Sequence, residues 1–190
     1  MFNTRARFFG LFFFFFGLVS ALLGQVPWYG YFVVGGAVFL ASVNYGKGEK
    51  TLLWLLENDK KRLVRIYLLY TLAAVAIELV GRFGFHLWHY NLHGSLVQFI
   101  NVFLITYQFA FFLIYELFIL LRKYIATIPF LFAVLVVINA FVHEIPNTFA
   151  HEWVYTIPGI SYEIFGINIV VIAGWSILVA VPFLVRRIVR

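Results

Sequence analysis

Long apolar runs alternate with short clusters of charge along this chain of 190 residues. A bilayer core of about 30 Å needs about 20 apolar residues in helical form. Six segments approach or meet that length: 8–23, 29–43, 64–87, 96–121, 126–142 and 165–185. The pattern predicts an all-α polytopic membrane protein, a six-helix transmembrane bundle forming one integral membrane domain over residues 1–190. The first two segments are short, which calls for tilt, local thinning of the bilayer or extension into their flanks. The first begins Arg-Ala-Arg and runs through five consecutive phenylalanines, as a signal peptide would. No small-x-small cleavage site follows it, so it reads as a retained helix. Segment 49–62 predicts either an interfacial helix, with Trp54 and its leucines against lipid, or a cytoplasmic extension of the third helix. Pro146 suits the first position of a short outer helix over 146–156, which Pro158 and Gly159 would end.

Charge then orients the bundle. All but one of the 14 Lys and Arg residues fall in four segments: Arg5 and Arg7; Lys47 to Arg65; Arg122 and Lys123; Arg186 to Arg190. The gaps between them hold all five histidines. Basic residues concentrate in cytoplasmic loops, so both termini are expected in the cytoplasm, with the bundle in the plasma membrane. An even number of crossings agrees. Composition supports the class, since 64% of residues are hydrophobic and 12% charged, against about a quarter charged in soluble domains. The net charge of +6 flanks the helices rather than forming a basic surface, so membrane lipids are the expected partner and nucleic acid is not. Without cysteine, any metal would need imidazole, carboxylate, amide or carbonyl ligands.

Candidate chemistry gathers on the outer side. Glu78, Arg82, His86, His89 and His93 share an arc of about 80° if one helix carries them all, at about 100° per residue. Buried ionisable groups in a membrane face a partner or a wet cavity, so the stripe predicts an inward polar wall with Glu78 deepest and paired to Arg82. Asn101 and Gln108, with Tyr115, recur every seven residues on the fourth helix and would face it, as pocket residues or as interhelical hydrogen bonds. Glu116 lies close enough to the basic end to pair with Arg122 or Lys123. The connection after the fifth helix adds His143, Glu144, Asn147, His151, Glu152 and Tyr155, and Glu163 follows.

This inventory predicts a His/Glu-lined pocket open to the non-cytoplasmic side. Glu78, Arg82, His86, His89 and Glu152 would carry catalysis; Asn101, Gln108, Asn147, Tyr155 and Glu163 would line the substrate pocket. His89, His93, His143, His151 and Glu144 suit a zinc, iron or manganese ion. Metal-free proton handling by histidine and a buried glutamate fits equally, and interfacial packing of amphipathic side chains is the plain alternative. His151 and Glu152 begin like a zincin motif, but Tyr155 stands where the second histidine would be.

The run Glu78-Leu-Val-Gly81, with Phe83-Gly84-Phe85 and Trp88-His-Tyr90, resembles a membrane-helix motif of carotenoid cyclases and hydratases over about a dozen residues. The resemblance implies acidic groups in a small helical bundle that protonate a polyene, and hence an apolar lipid or isoprenoid substrate. The leading expectation is an enzyme modifying such a molecule. A small proton-coupled transporter or channel would use the same stripe as a pathway, and a non-catalytic membrane assembly protein would use it for packing.

Overall fold

The computed structural model describes residues 2–91, 95–157 and 159–189. Eight α-helices follow in chain order: α1 (Phe2–Leu22), α2 (Tyr29–Tyr45), α3 (Leu52–Asn58), α4 (Lys60–Ile77), α5 (Ser95–Phe99), α6 (Tyr107–Leu121), α7 (Ile128–Ala150) and α8 (Ile169–Ile188). Helix α4 runs on through wider π-type turns, Glu78–Gly84, and a second such stretch, Ile100–Thr106, joins α5 to α6. Among the described residues, five spans are long and apolar enough to cross a membrane: Asn3–Leu22, Lys60–Gly84, Leu96–Leu121, Ile128–Ala150 and Ile169–Ile188; Tyr29–Tyr45 is apolar but shorter. Large apolar side chains stand exposed along them, such as Phe8, Phe12, Leu68, Leu72 and Ile177. Exposed apolar surface on that scale needs hydrocarbon as its solvent, so this is a multi-pass membrane protein.

The fold is all-α as expected, and among the described residues it also carries four short strands: β1 (Trp88–Tyr90), β2 (Trp153–Tyr155), β3 (Glu163–Ile164) and β4 (Ile167–Asn168). Strand β1 pairs antiparallel with β2, with Trp88 opposite Tyr155 and Tyr90 opposite Trp153. Backbone bonds from Asn91 to Glu152 and from Thr156 to Leu87 extend the ladder at both ends.

This pairing overturns two helical expectations. The third helix does not continue to residue 93: it ends at Gly84, and His86 takes a left-handed backbone. Trp88 folds back onto Gly81, where a Cβ would lie 1.9 Å from the indole ring. The stripe of Glu78, Arg82, His86 and His89 is therefore broken after Arg82; His93 lies outside the described residues. Conversely, the fifth segment does not stop at 142 with a separate helix over 146–156. Helix α7 runs unbroken to Ala150 with Pro146 inside. Proline removes one backbone donor, but unwinding the turns around it in apolar surroundings would strand several more groups. The last helix starts at Ile169 rather than 165, after the β3–β4 hairpin, because Asn168 caps it by accepting from the Val170 N–H.

Segment 49–62 forms the seven-residue α3, capped by Thr51, and Asp59 then caps α4. Leu52, Leu53 and Leu55 are buried in the protein rather than laid on lipid. What draws α3 inward is Glu116, which accepts from the Leu52 N–H at 2.7 Å and from Asn44 Nδ2 at 3.0 Å. Arg122 and Lys123 bind Glu49 instead, at 2.6 and 3.2 Å.

Helices α1 and α2 meet backbone to backbone. A Cβ at Gly35 would lie 2.1 Å from the Phe14 nitrogen, and one at Gly17 would lie 2.5 Å from that of Phe32. Small residues allow such close approach where no hydrophobic effect drives helices together. Gly35→Ala is therefore expected to destabilise the protein by about 1–3 kcal/mol, the range for overpacking. Gly174→Ala, whose Cβ meets nothing within 4 Å, should not. Thermal unfolding in detergent of both variants checks the contrast.

Candidate functional site

Three carboxylates are buried towards the ends of the spans that carry the β1–β2 ribbon. Glu78, Glu144 and Glu152 are 0%, 3% and 1% exposed. A buried carboxylate is costly unless hydrogen bonds replace its water, and here each accepts three. At Glu78, Oε1 accepts from Tyr90 Oη at 2.7 Å, Tyr107 Oη at 2.8 Å and Trp88 Nε1 at 3.3 Å. Its Oε2 stands 3.8 Å from the Arg82 guanidinium. At Glu144, Oε1 accepts from Tyr155 Oη at 2.8 Å and Trp175 Nε1 at 3.0 Å, and Oε2 from Trp153 Nε1 at 3.1 Å. At Glu152, Oε2 accepts the backbone N–H groups of Trp28 and Tyr29, both at 3.1 Å, and Oε1 accepts from Asn101 Nδ2 at 2.8 Å. That carboxylate sits on the positive end of α2, where orphan N–H groups and the helix dipole favour an anion.

The ribbon explains the first two sets. Side chains alternate across a strand, so Trp88 and Tyr90 share a face, as do Trp153 and Tyr155. Each strand follows the helix whose carboxylate it binds, and each carboxylate takes its third donor from another helix, Tyr107 or Trp175. Burial first, and then the facing carboxylate, raises the Tyr90 and Tyr155 hydroxyls well above the ordinary phenol value, which keeps them protonated as donors. Asn147 holds the geometry by bonding both the carbonyl and the N–H of Trp153.

A cavity of about 730 Å³ lies beneath this ribbon. Its wall is mostly aliphatic and aromatic, from α4, α6 and α8; Glu144 and Glu152 are its charged lining residues, and Tyr29, Tyr90, Thr106, Tyr107 and Tyr155 bear its hydroxyls. Val80, Phe85 and Ile177 also line it while standing exposed at the protein surface. The cavity is therefore open to the outside of the protein between the end of α4 and α8. A second, smaller pocket of about 380 Å³ lies on the other side of Glu144 and is polar, with Asn147, Thr148, His151, Ser161, Glu163 and Asn168 in its wall.

The expected site residues separate into three groups. Glu144, Glu152 and Tyr155 line the main cavity. Glu78 stands one layer behind it, bonded to the lining hydroxyls of Tyr90 and Tyr107, and Asn101 reaches the cavity only through Glu152. His151, Glu163 and Asn147 line the polar pocket. Gln108 serves packing, donating to Thr71 and to the Phe103 carbonyl. The described histidines do not gather: His86 and His89 are exposed around β1, and His151 is exposed at the end of α7. His143 is buried, 2.5 Å from Tyr29 Oη through Nδ1 and packed on Trp175. Among the described residues, no three His, Asp or Glu groups come together to hold a metal.

Sequence reasoning missed Trp88, Tyr90, Trp153, Trp175, Tyr29 and Tyr107. The available signal was the repeated Trp-x-Tyr, an aromatic alternation of period two that suits a strand rather than a helix. Compared with protein families, curated proteins and solved structures, the chain has no match in any of the three.

Two outcomes follow from this geometry. Burial pushes Glu152 up from 4.5 to about 7, against the opposing bonds from Tyr29, Trp28 and Asn101. Below about pH 4.5 its neutral form is present folded and unfolded, and its contribution to stability is complete. That contribution shrinks as pH rises towards 7 and is lost above it, because only the unfolded chain ionises freely. Unfolding midpoints should therefore fall across this window in the wild type and less steeply in Glu152→Gln. Separately, Trp175→Phe removes one donor from Glu144 and should cost about 1.5–3 kcal/mol, read by chemical or thermal unfolding in detergent.

Proposed function

We propose that this is a six-span integral membrane protein with both termini on the cytoplasmic side of the plasma membrane. Its cavity takes a lipid or isoprenoid molecule from the bilayer and subjects it to acid/base chemistry. The observation that carries this reading is the cavity itself: large, apolar, open to the outside of the protein between the end of α4 and α8, and furnished at its polar end with buried carboxylates that lack an ammonium partner. Ligand sites combine a mostly apolar wall with a few convergent polar groups, and general acids in such sites are carboxyls whose environment favours the proton.

The residue roles follow from position. Glu144 and Glu152 face the guest and are the proton-transfer groups. Tyr155 and Trp153 fix Glu144 through their ring donors, and the Tyr29 backbone N–H helps to fix Glu152. Glu78 is a positioning residue, which holds Tyr90 and Tyr107 in the cavity wall with Arg82 behind it. The spread of the histidines gives the metal-assisted alternative little support, so the chemistry is assigned to carboxyl and phenol groups. The transporter alternative needs polar groups continuing to the basic face, but Glu116 turns away from the cavity to Asn44 and Leu52, which favours a blind site.

The test is organic extraction of protein purified in mild detergent, followed by mass spectrometry. An apolar molecule should co-purify near stoichiometrically with the wild type. It should be depleted in Gly174→Leu, which extends a side chain from a cavity-lining position with open space before it. Equal recovery of the same lipids from both proteins would overturn the reading. Where a turnover assay follows, Glu144→Gln and Glu152→Gln should lose at least about 10²-fold, the usual scale of general acid–base catalysis. Glu78→Gln should lose less.

A further inference from the structure

Resting on the reading of the cavity as an acid/base site, we infer that Glu144 draws its proton from the polar outer pocket and delivers it into the apolar cavity. Two concavities meet at this side chain. Glu144, Trp153, Tyr155 and Ile157 line both of them. Among the described residues, Glu144 is the carboxylate shared by the two linings: Glu152 belongs to the cavity alone, and Glu163 and His151 to the outer pocket alone. The outer pocket offers water Asn147, Thr148, Ser161 and Asn168 as partners. The cavity is too apolar to retain water well, so a proton consumed there must arrive through a protein group.

The hydrogen bonds leave room for that proton. Oε1 of Glu144 accepts two donors and Oε2 only one. A carboxylate oxygen offers about two lone pairs, so Oε2 keeps one free. The donors are indole N–H groups and a phenol, which fix the carboxylate without neutralising it as an ammonium would. The ionisable groups around it are Tyr155 on β2, Tyr29 on α2, Glu152 beside the cavity, and His151 and Glu163 across the outer pocket. His143, its neighbour on α7, is turned to Tyr29. Among the described residues, no Lys or Arg lines either concavity.

In the transfer, the O–H bond at Oε2 breaks as a bond to hydrogen forms on the guest, which gains one positive charge. The carboxylate left behind takes its next proton from hydronium or another acid carried by water in the outer pocket. One proton moves from outer water to guest, and no electrons change hands.

A water-soluble carbodiimide with glycine methyl ester tests the route on the full-length protein in detergent, because the reagent consumes a protonated carboxyl that it can reach. Peptide mass spectrometry should show Glu144 modified severalfold more than Glu116, which is fully buried and lines neither concavity. Exposed Glu57 serves as the fully reactive reference. Thr148→Trp and Ser161→Trp place an indole in the outer pocket from two different walls at exposed positions. Each should lower Glu144 modification severalfold while leaving Glu57 unchanged. Glu144 modified no more than Glu116, or modification unaffected by both tryptophan variants, would overturn the route. Equal recovery of the same lipids from the wild type and Gly174→Leu would instead overturn the cavity reading, so the two failures are distinguishable.

Discussion

A carboxylate buried in a membrane protein must replace its lost hydration with hydrogen bonds, and the half of this protein that carries the β1–β2 ribbon is organised around that requirement. Glu78 and Glu144 each recruit one indole and one phenol from a strand that follows their own helix, and a third donor from another helix. The two strands pair with each other, so each set of bonds helps to hold the other. Glu78 also has the Arg82 guanidinium 3.8 Å from Oε2, whereas the donors to Glu144 are all neutral rings.

The same arrangement creates the cavity. Four aromatic side chains hang from one face of the ribbon and hold it above the bundle, while α4, α6 and α8 supply the walls. Gly81 admits the Trp88 ring, and that single missing Cβ lets the chain turn back over the end of α4. On the opposite flank, Glu152 grips the N-terminus of α2, and Asn101 on the π-type stretch before α6 shares that carboxylate. The close glycine packing of α1 on α2 thus connects to the polar end of the cavity through Trp28 and Tyr29.

At the basic end the same rule operates with a different result. Glu116 satisfies itself on the start of α3 and the end of α2, binding the short helix into the protein. Arg122 and Lys123 are left to Glu49 nearer the surface. Helix α3 has the composition of a lipid-surface helix, but one buried acceptor decides where its leucines lie.

Much of the architecture was legible in the residues. Hydropathy over about 20 residues reports the membrane class and the approximate spans, because the bilayer imposes that length on any helix crossing it. The concentration of Glu78, Glu144 and Glu152 on the side poor in Lys and Arg was legible too, as was the cost that makes such groups meaningful. Tertiary structure alone decided where helices give way to strands, since Trp88–Tyr90 and Trp153–Tyr155 are stable as a pair and neither could form a strand by itself. It also decided which donors meet which carboxylate, and so separated Glu144, at the cavity wall, from Glu78 behind it and from histidines that point elsewhere. Helical periodicity places side chains around an axis only while the helix lasts. Once Gly84 and His86 end it, the positions of His89 and everything beyond depend on a partner strand more than 60 residues away.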